Sequence, residues 1–161
     1  MLLAPWPDAV LAGILGLLVG SFLNVVIYRI PKMMERQWAA ECAEYAATAG
    51  IAAPAAVQTE VFNLSQPRSR CQACGHQLRW YENIPVLSYV FLRGRCSSCG
   101  VGISARYPLV ELFTAGLFFF CVQHWGATPT GLAWCFFSAI LVALAFIDWD
   151  TTLLPDDLTL P

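Results

Sequence analysis

The sequence predicts an all-α polytopic membrane protein, with three transmembrane helices and a small cytoplasmic zinc-knuckle insert. Three observations predict it. Apolar residues fill 58% of the 161 positions and charged residues only 12%, against roughly 45–50% and about a quarter in soluble chains. All nine Lys and Arg lie between Arg29 and Arg106. Long charge-free runs flank that block on both sides. A soluble domain so poor in charge would expose wide apolar patches, so lipid must solvate part of this chain. The formal net charge of -2 is too weak to suggest a nucleic-acid partner.

The first span follows from the 20 uncharged residues between Asp8 and Arg29, long enough to cross a hydrocarbon core of about 30 Å. A cleaved signal peptide fits poorly, because no Lys or Arg precedes the run and no small-residue cleavage site ends it. Arg29 and Lys32 follow the run, which puts the N-terminus outside and the next segment in the cytoplasm. Residues 1–30 are therefore assigned to the first transmembrane helix. Within it Gly13, Gly16, Gly20 and Asn24 form a small and polar stripe. Such a stripe lets helices approach closely, and Asn can hydrogen-bond across the interface.

Residues 31–107 form the cytoplasmic insert. From Lys32 the sequence favours a short helix up to Gly50, then a flexible stretch containing Pro54. Its basic residues read as topology determinants, with anionic lipid heads as a second possible contact. Further on come Cys71-Gln-Ala-Cys74-Gly75 and Cys96-Ser-Ser-Cys99-Gly100, with 21 residues between Cys74 and Cys96. Two such pairs, each trailed by Gly, supply the four thiolates of a tetrahedral Zn²⁺ site. An iron–sulfur cluster uses the same ligand type. Disulfides fit a reducing cytoplasm poorly. His76 reads as a surface residue, since four thiolates already close the site. Cys42, Cys121 and Cys135 are left over.

Residues 108–161 hold the rest of the membrane part. From Leu112 to Ile147 there are 36 residues without a charge, too many for one span. The cluster Gln123-His-Trp-Gly-Ala-Thr-Pro129 breaks the run and reads as a turn. The expectation is a hairpin, Leu109–Trp125 going out and Thr130–Ile147 returning. Glu111 and Asp148 then lie near the cytoplasmic ends of the two arms, where an ionisable side chain is costly and often functional. Aspartic proteolysis needs two carboxylates sharing a proton. Asp150 points to another helix face than Asp148, and Asp156 and Asp157 lie beyond Pro155. These residues alone leave the dyad incomplete.

Taken together, the motifs strongly resemble prepilin peptidases. Gly20-Ser-Phe-Leu-Asn-Val-Val-Ile-Tyr-Arg-Ile-Pro31 and the two Cys pairs flanking Tyr81-Glu-Asn-Ile-Pro85 carry the likeness. Ile103-Ser-Ala-Arg-Tyr-Pro-Leu-Val-Glu111 and Ile147-Asp-Trp-Asp-Thr-Thr-Leu-Leu-Pro-Asp156 complete it, across nearly the whole chain. The resemblance implies a multi-pass enzyme of the bacterial inner membrane. Such enzymes cut the basic leader from type IV prepilins and pseudopilins at the cytoplasmic face. They then methylate the new N-terminus with S-adenosylmethionine. It implies Asp148 as the first catalytic aspartate, and links the Cys-bearing insert, with Gly94 before the third cysteine, to methyl transfer. The family's second aspartate sits in a Gly-x-Gly-Asp motif, which is absent from these 161 residues. The chain therefore reads as the N-terminal portion of such an enzyme, truncated after the first catalytic Asp motif. A membrane-anchored, non-catalytic zinc module that binds partners is the competing reading. The leader is expected to be drawn in by Glu111, Asp148, Asp150, Asp156 and Asp157.

Overall fold

A computed structural model describes residues 6–50, 62–152 and 155. The described residues form four α-helices, one 3-10 turn and no strand beyond two isolated bridges. The first helix, α1 (Trp6–Thr48), runs for 43 residues. It does not stop at the 30/31 boundary assigned to the first span. Pro31 lies inside it and lacks the N–H that would reach back one turn. The Ala, Glu, Gln and Met residues that follow are strong helix formers and carry the helix on. It ends where Gly50 takes φ +67°, a left-handed geometry that suits glycine. The flexible stretch expected near Pro54 lies outside the described residues.

Between α1 and the hairpin come a 3-10 turn (Trp80–Asn83) and the short helix α2 (Leu87–Phe91). The hairpin itself is α3 (Arg106–Trp125) and α4 (Pro129–Thr151). Its turn matches the expectation closely. Gly126 closes α3 at φ +74°. Thr128 caps α4 by accepting from the Gly131 N–H at 3.2 Å, and Pro129 occupies the first helical turn, where a missing N–H costs nothing.

Close packing of α1 on α3 organises the bundle. A methyl carbon added to Gly16 would lie 2.7 Å from the Ala115 Cα, and one on Gly20 the same distance from the Glu111 Cα. Both positions therefore need the absence of a side chain. Asn24 donates from Nδ2 to the Tyr107 carbonyl at 3.1 Å. The small and polar stripe is thus the α1–α3 seam. The core beside it holds Leu23, Val26, Ile27, Val110, Phe118, Val142 and Ile147, with Cys121 and Cys135 among them as small apolar residues.

The outer surface is apolar. Two helices, α1 and α4, are long and apolar enough to cross a membrane, yet only 28% and 33% of their most apolar stretches are buried. An apolar helix at the centre of a soluble protein would be mostly covered. Here Leu11, Leu18, Phe22 and Phe136 are more than half exposed, as lipid-facing positions are. Helix α3 has 20 residues, about 30 Å of length, and is made less apolar by Arg106, Glu111, Gln123 and His124.

Arg29 shows that the basic block is more than a solvated charge. Its side chain is buried. It donates to the Asn63 carbonyl at 2.7 Å and the Pro67 carbonyl at 2.5 Å, with its guanidinium over the Phe62 ring. These contacts tie residues 62–67 to α1.

Candidate functional site

Each Cys pair sits in a knuckle closed by the same backbone bonds. In the first, the Cys71 N–H bonds the His76 carbonyl at 2.8 Å and the Gly75 N–H bonds the Cys71 carbonyl at 2.9 Å. In the second, Cys96 N–H bonds Val101 at 2.8 Å and Gly100 N–H bonds Cys96 at 3.0 Å. The bridges Arg70–Gln77 and Arg95–Gly102 close the two loops. Gly75 and Gly100 take φ +73° and +70°, which explains the Gly after each pair.

The knuckles face each other. All four sulfurs lie within 4.8 Å of one another, with Cys71 Sγ to Cys99 Sγ at 3.9 Å and Cys74 Sγ to Cys96 Sγ at 4.0 Å. Four thiolates at about 2.3 Å from one tetrahedral Zn²⁺ would stand about 3.8 Å apart. The donor set and its spacing fit that ion. The backbone favours thiolate in the first cysteine of each knuckle. N–H groups of Cys74 and Ala73 lower Cys71 to about 7, and those of Cys99 and Ser98 lower Cys96. At Cys99 the Val101 N–H also favours thiolate, but hydrogen bonding of its thiol with the Cys74, Cys96 and Cys71 sulfurs, together with desolvation, drives it up to about 11. A divalent cation among the sulfurs would favour the thiolate form of all four.

His76 lies outside the sulfur cluster and has a different partner. Its Nε2 is 3.3 Å from Glu82 Oε2. Glu82 is buried, accepts from the Arg79 N–H at 2.7 Å, and accepts from the Ser97 hydroxyl. It therefore joins the first knuckle, through His76, to the second, through Ser97. Sequence reasoning passed over Glu82, which its position between the Cys pairs alone could have flagged. The Arg79 N–H first, then Ser97 and His76, hold its carboxyl below the ordinary value. A group so lowered stabilises the fold above its unfolded value of about 4.3, and the contribution fades as pH falls through the folded value. Glu82→Gln is expected to cost about 1–3 kcal/mol at pH 7. The gap in melting temperature between wild type and variant should shrink below about pH 4.

Gly94 has a geometric role. It takes φ +66°, and an added Cβ would meet the Tyr89 ring at 2.9 Å. Its N–H bonds the Tyr89 carbonyl at 2.9 Å, and its carbonyl accepts from Ile103 at 2.7 Å. It turns the chain from α2 into the second knuckle. A cleft of about 240 Å³ beside the knuckles is lined by Arg79, Tyr81, Glu82 and Ser97 among others. A second, of about 150 Å³, lies at the Asn24–Tyr107 contact. Neither reaches the roughly 300–1,000 Å³ of cofactor pockets. These two clefts do not fit S-adenosylmethionine.

The carboxylates expected to act together are in different states. Asp148 is exposed on the last turn of α4, and its side chain has no hydrogen bond or ion pair with a described residue. Asp150 is neutralised by Arg106 at 2.7 Å, a pair that fastens the end of α4 to the start of α3. Glu111 is buried and accepts from the Val86 N–H at 2.7 Å. Asp156 and Asp157 lie outside the described residues. Asp148 is thus open, whereas Glu111 and Asp150 are already engaged by the Val86 N–H and by Arg106.

The chain is mostly helical, with two helices long and apolar enough to cross a membrane, four cysteines placed closely enough to hold a metal ion, and an exposed aspartate. The chain belongs to the family of the bacterial peptidase A24 N-terminal domain, which matches residues 14–125. It is 48% identical over 151 residues to a prepilin leader peptidase/N-methyltransferase of Pseudomonas putida, covering 94% of this chain and 50% of the relative. The protein of the same name in Neisseria gonorrhoeae is 47% identical over 152 residues, 94% of this chain and 51% of that one. That of Aeromonas salmonicida is 47% identical over 161 residues, 98% and 53%. The chain spans about half the length of these curated relatives. No solved structure matches it.

Proposed function

We propose that this chain is the N-terminal half of a prepilin leader peptidase and N-methyltransferase of the bacterial inner membrane. In this reading α1, α3 and α4 each span the bilayer, with the N-terminus outside and the insert in the cytoplasm. Confinement of all nine Lys and Arg to residues 29–106 supports that orientation. The four cysteines hold one structural Zn²⁺. The observation that carries the peptidase assignment is the open carboxylate of Asp148, at the end of the bundle where Arg106 and the insert also lie.

Aspartic chemistry assigns definite work to that carboxylate. With a second carboxylate sharing one proton, Asp148 takes a proton from water, whose oxygen attacks the scissile carbonyl carbon. The C–N bond then breaks, and the departing amine takes a proton from the dyad. The second carboxylate is expected from the region that the longer relatives possess beyond the matched half. Methyl transfer would follow on the new amine, with S-adenosylmethionine as methyl donor. No step of it is assigned to residues of this chain. Gly94 would contribute through shape, by holding α2 against the second knuckle.

Fusion of residues 1–152 to the C-terminal half of the Pseudomonas putida relative tests the reading. The chimera should cut a type IV prepilin in membranes. A membrane-inserted, zinc-loaded chimera that leaves prepilin intact would favour a non-catalytic zinc module instead.

A further inference from the structure

The segment Ile84–Phe91 links the two knuckles, yet it does not sit with them. Val86 donates its N–H to Glu111, five residues into α3 from Arg106, or about 7.5 Å along the axis. Glu111 in turn packs on Gly20 of α1, nine residues before Arg29, or about 13 Å along that helix. Both rises place Glu111, whose carboxylate holds Val86, below the level of Arg106 and Arg29. The chain then climbs back, because Gly94 accepts from Ile103 at 2.7 Å, just ahead of the start of α3. Helix α2 therefore occupies the depth between Glu111 and Arg106.

Its side chains suit lipid at that depth. Leu87, Val90 and Phe91 are 54%, 63% and 82% exposed. Leu109 and Leu112, on the neighbouring turns of α3, are also more than half exposed. Part of the backbone suits lipid as well. Pro85 has no N–H, Val86 is satisfied by Glu111, and the N–H groups of Leu87, Ser88 and Val90 bond within the segment. Each such bond lowers the cost of leaving water. Arg93 and Arg95 follow, both exposed, where anionic headgroups would meet them.

We infer that Ile84–Phe91 is a membrane-inserted element whose partner is the phospholipid of the cytoplasmic leaflet. Leu87, Val90 and Phe91 lie among the upper acyl carbons, and Glu111 acts as the polar cap that permits the insertion. The inference rests on α1 and α3 spanning the bilayer, and is otherwise independent of any peptidase activity.

Photocrosslinking tests it on the full chain in liposomes of phosphatidylethanolamine and phosphatidylglycerol with tritiated acyl chains. Phe91→p-benzoylphenylalanine is compared with the same change at Phe120, on α3, and at Tyr45, near the end of α1. Unchanged zinc content checks that each variant is folded. Lipid adducts at position 91 should come within about threefold of position 120 and exceed position 45 by about tenfold, as for an interfacial element. Adducts at the level of position 45 would overturn the inference, whether or not protein adducts form. If position 120 also fails, the spanning of α3 falls, and the inference falls with it.

Discussion

Cys71→Ser is expected to lower bound zinc from one equivalent per chain to less than about a tenth, since three thiolates lose most of the affinity of a closed site. The consequence is structural. The insert is held by short knuckle bonds, two isolated bridges and the Glu82 contacts, with no described sheet to support it. Structural zinc contributes about 10–16 kcal/mol to the folding of comparable small modules. Without it, Arg79, Arg93 and Arg95 should become sites of rapid tryptic cleavage. The helical bundle, whose core contains none of the four sulfurs, should keep its far-ultraviolet circular dichroism. Metal analysis and X-ray absorption on the wild-type protein should give one zinc with four sulfurs at about 2.3 Å. Iron in its place would correct the metal and leave the ligand assignment standing.

Gly20→Leu should disrupt the bundle itself. The first added carbon meets the Glu111 Cα at 2.7 Å, and backbone cannot rotate aside as a side chain can. Helices α1 and α3 must separate, which also breaks the bond from Asn24 to Tyr107. Overpacking costs typically about 1–3 kcal/mol, and contact with two backbone atoms of Glu111 puts this variant at the upper end or beyond. Gly116→Leu is the matched control, because open space surrounds that glycine. Thermal unfolding in detergent should show a large fall for Gly20→Leu and almost none for Gly116→Leu. Equal falls would mean that the seam lies elsewhere.

Much of this architecture is legible in the sequence because single residues carry it. Gly126, Thr128 and Pro129 mark the hairpin turn, and Gly16, Gly20 and Asn24 mark the seam. The paired cysteines with their trailing glycines mark the four-sulfur cluster. What stays hidden depends on contacts far apart in the chain. Nothing local tells that Glu111 caps the Val86 N–H, that Arg106 neutralises Asp150, or that Arg29 is buried against Asn63 and Pro67. The same applies to Glu82, whose partners lie in both knuckles. The continuation of α1 through Pro31 is a different case: a local helix breaker yields to the strong helix formers beyond it.

In the proposed function Asp148 does the peptide-bond chemistry. Prepilin cleavage by the chimera is to be compared between Asp148→Ala and Asp150→Ala. Asp148→Ala should lower the single-turnover rate by at least about a hundredfold, the lower range for loss of a positioned acid–base group. Asp150→Ala breaks only a partly exposed ion pair with Arg106, worth about 0–1 kcal/mol, and should cleave within a few-fold of wild type. Wild-type cleavage by Asp148→Ala would remove Asp148 from the chemistry.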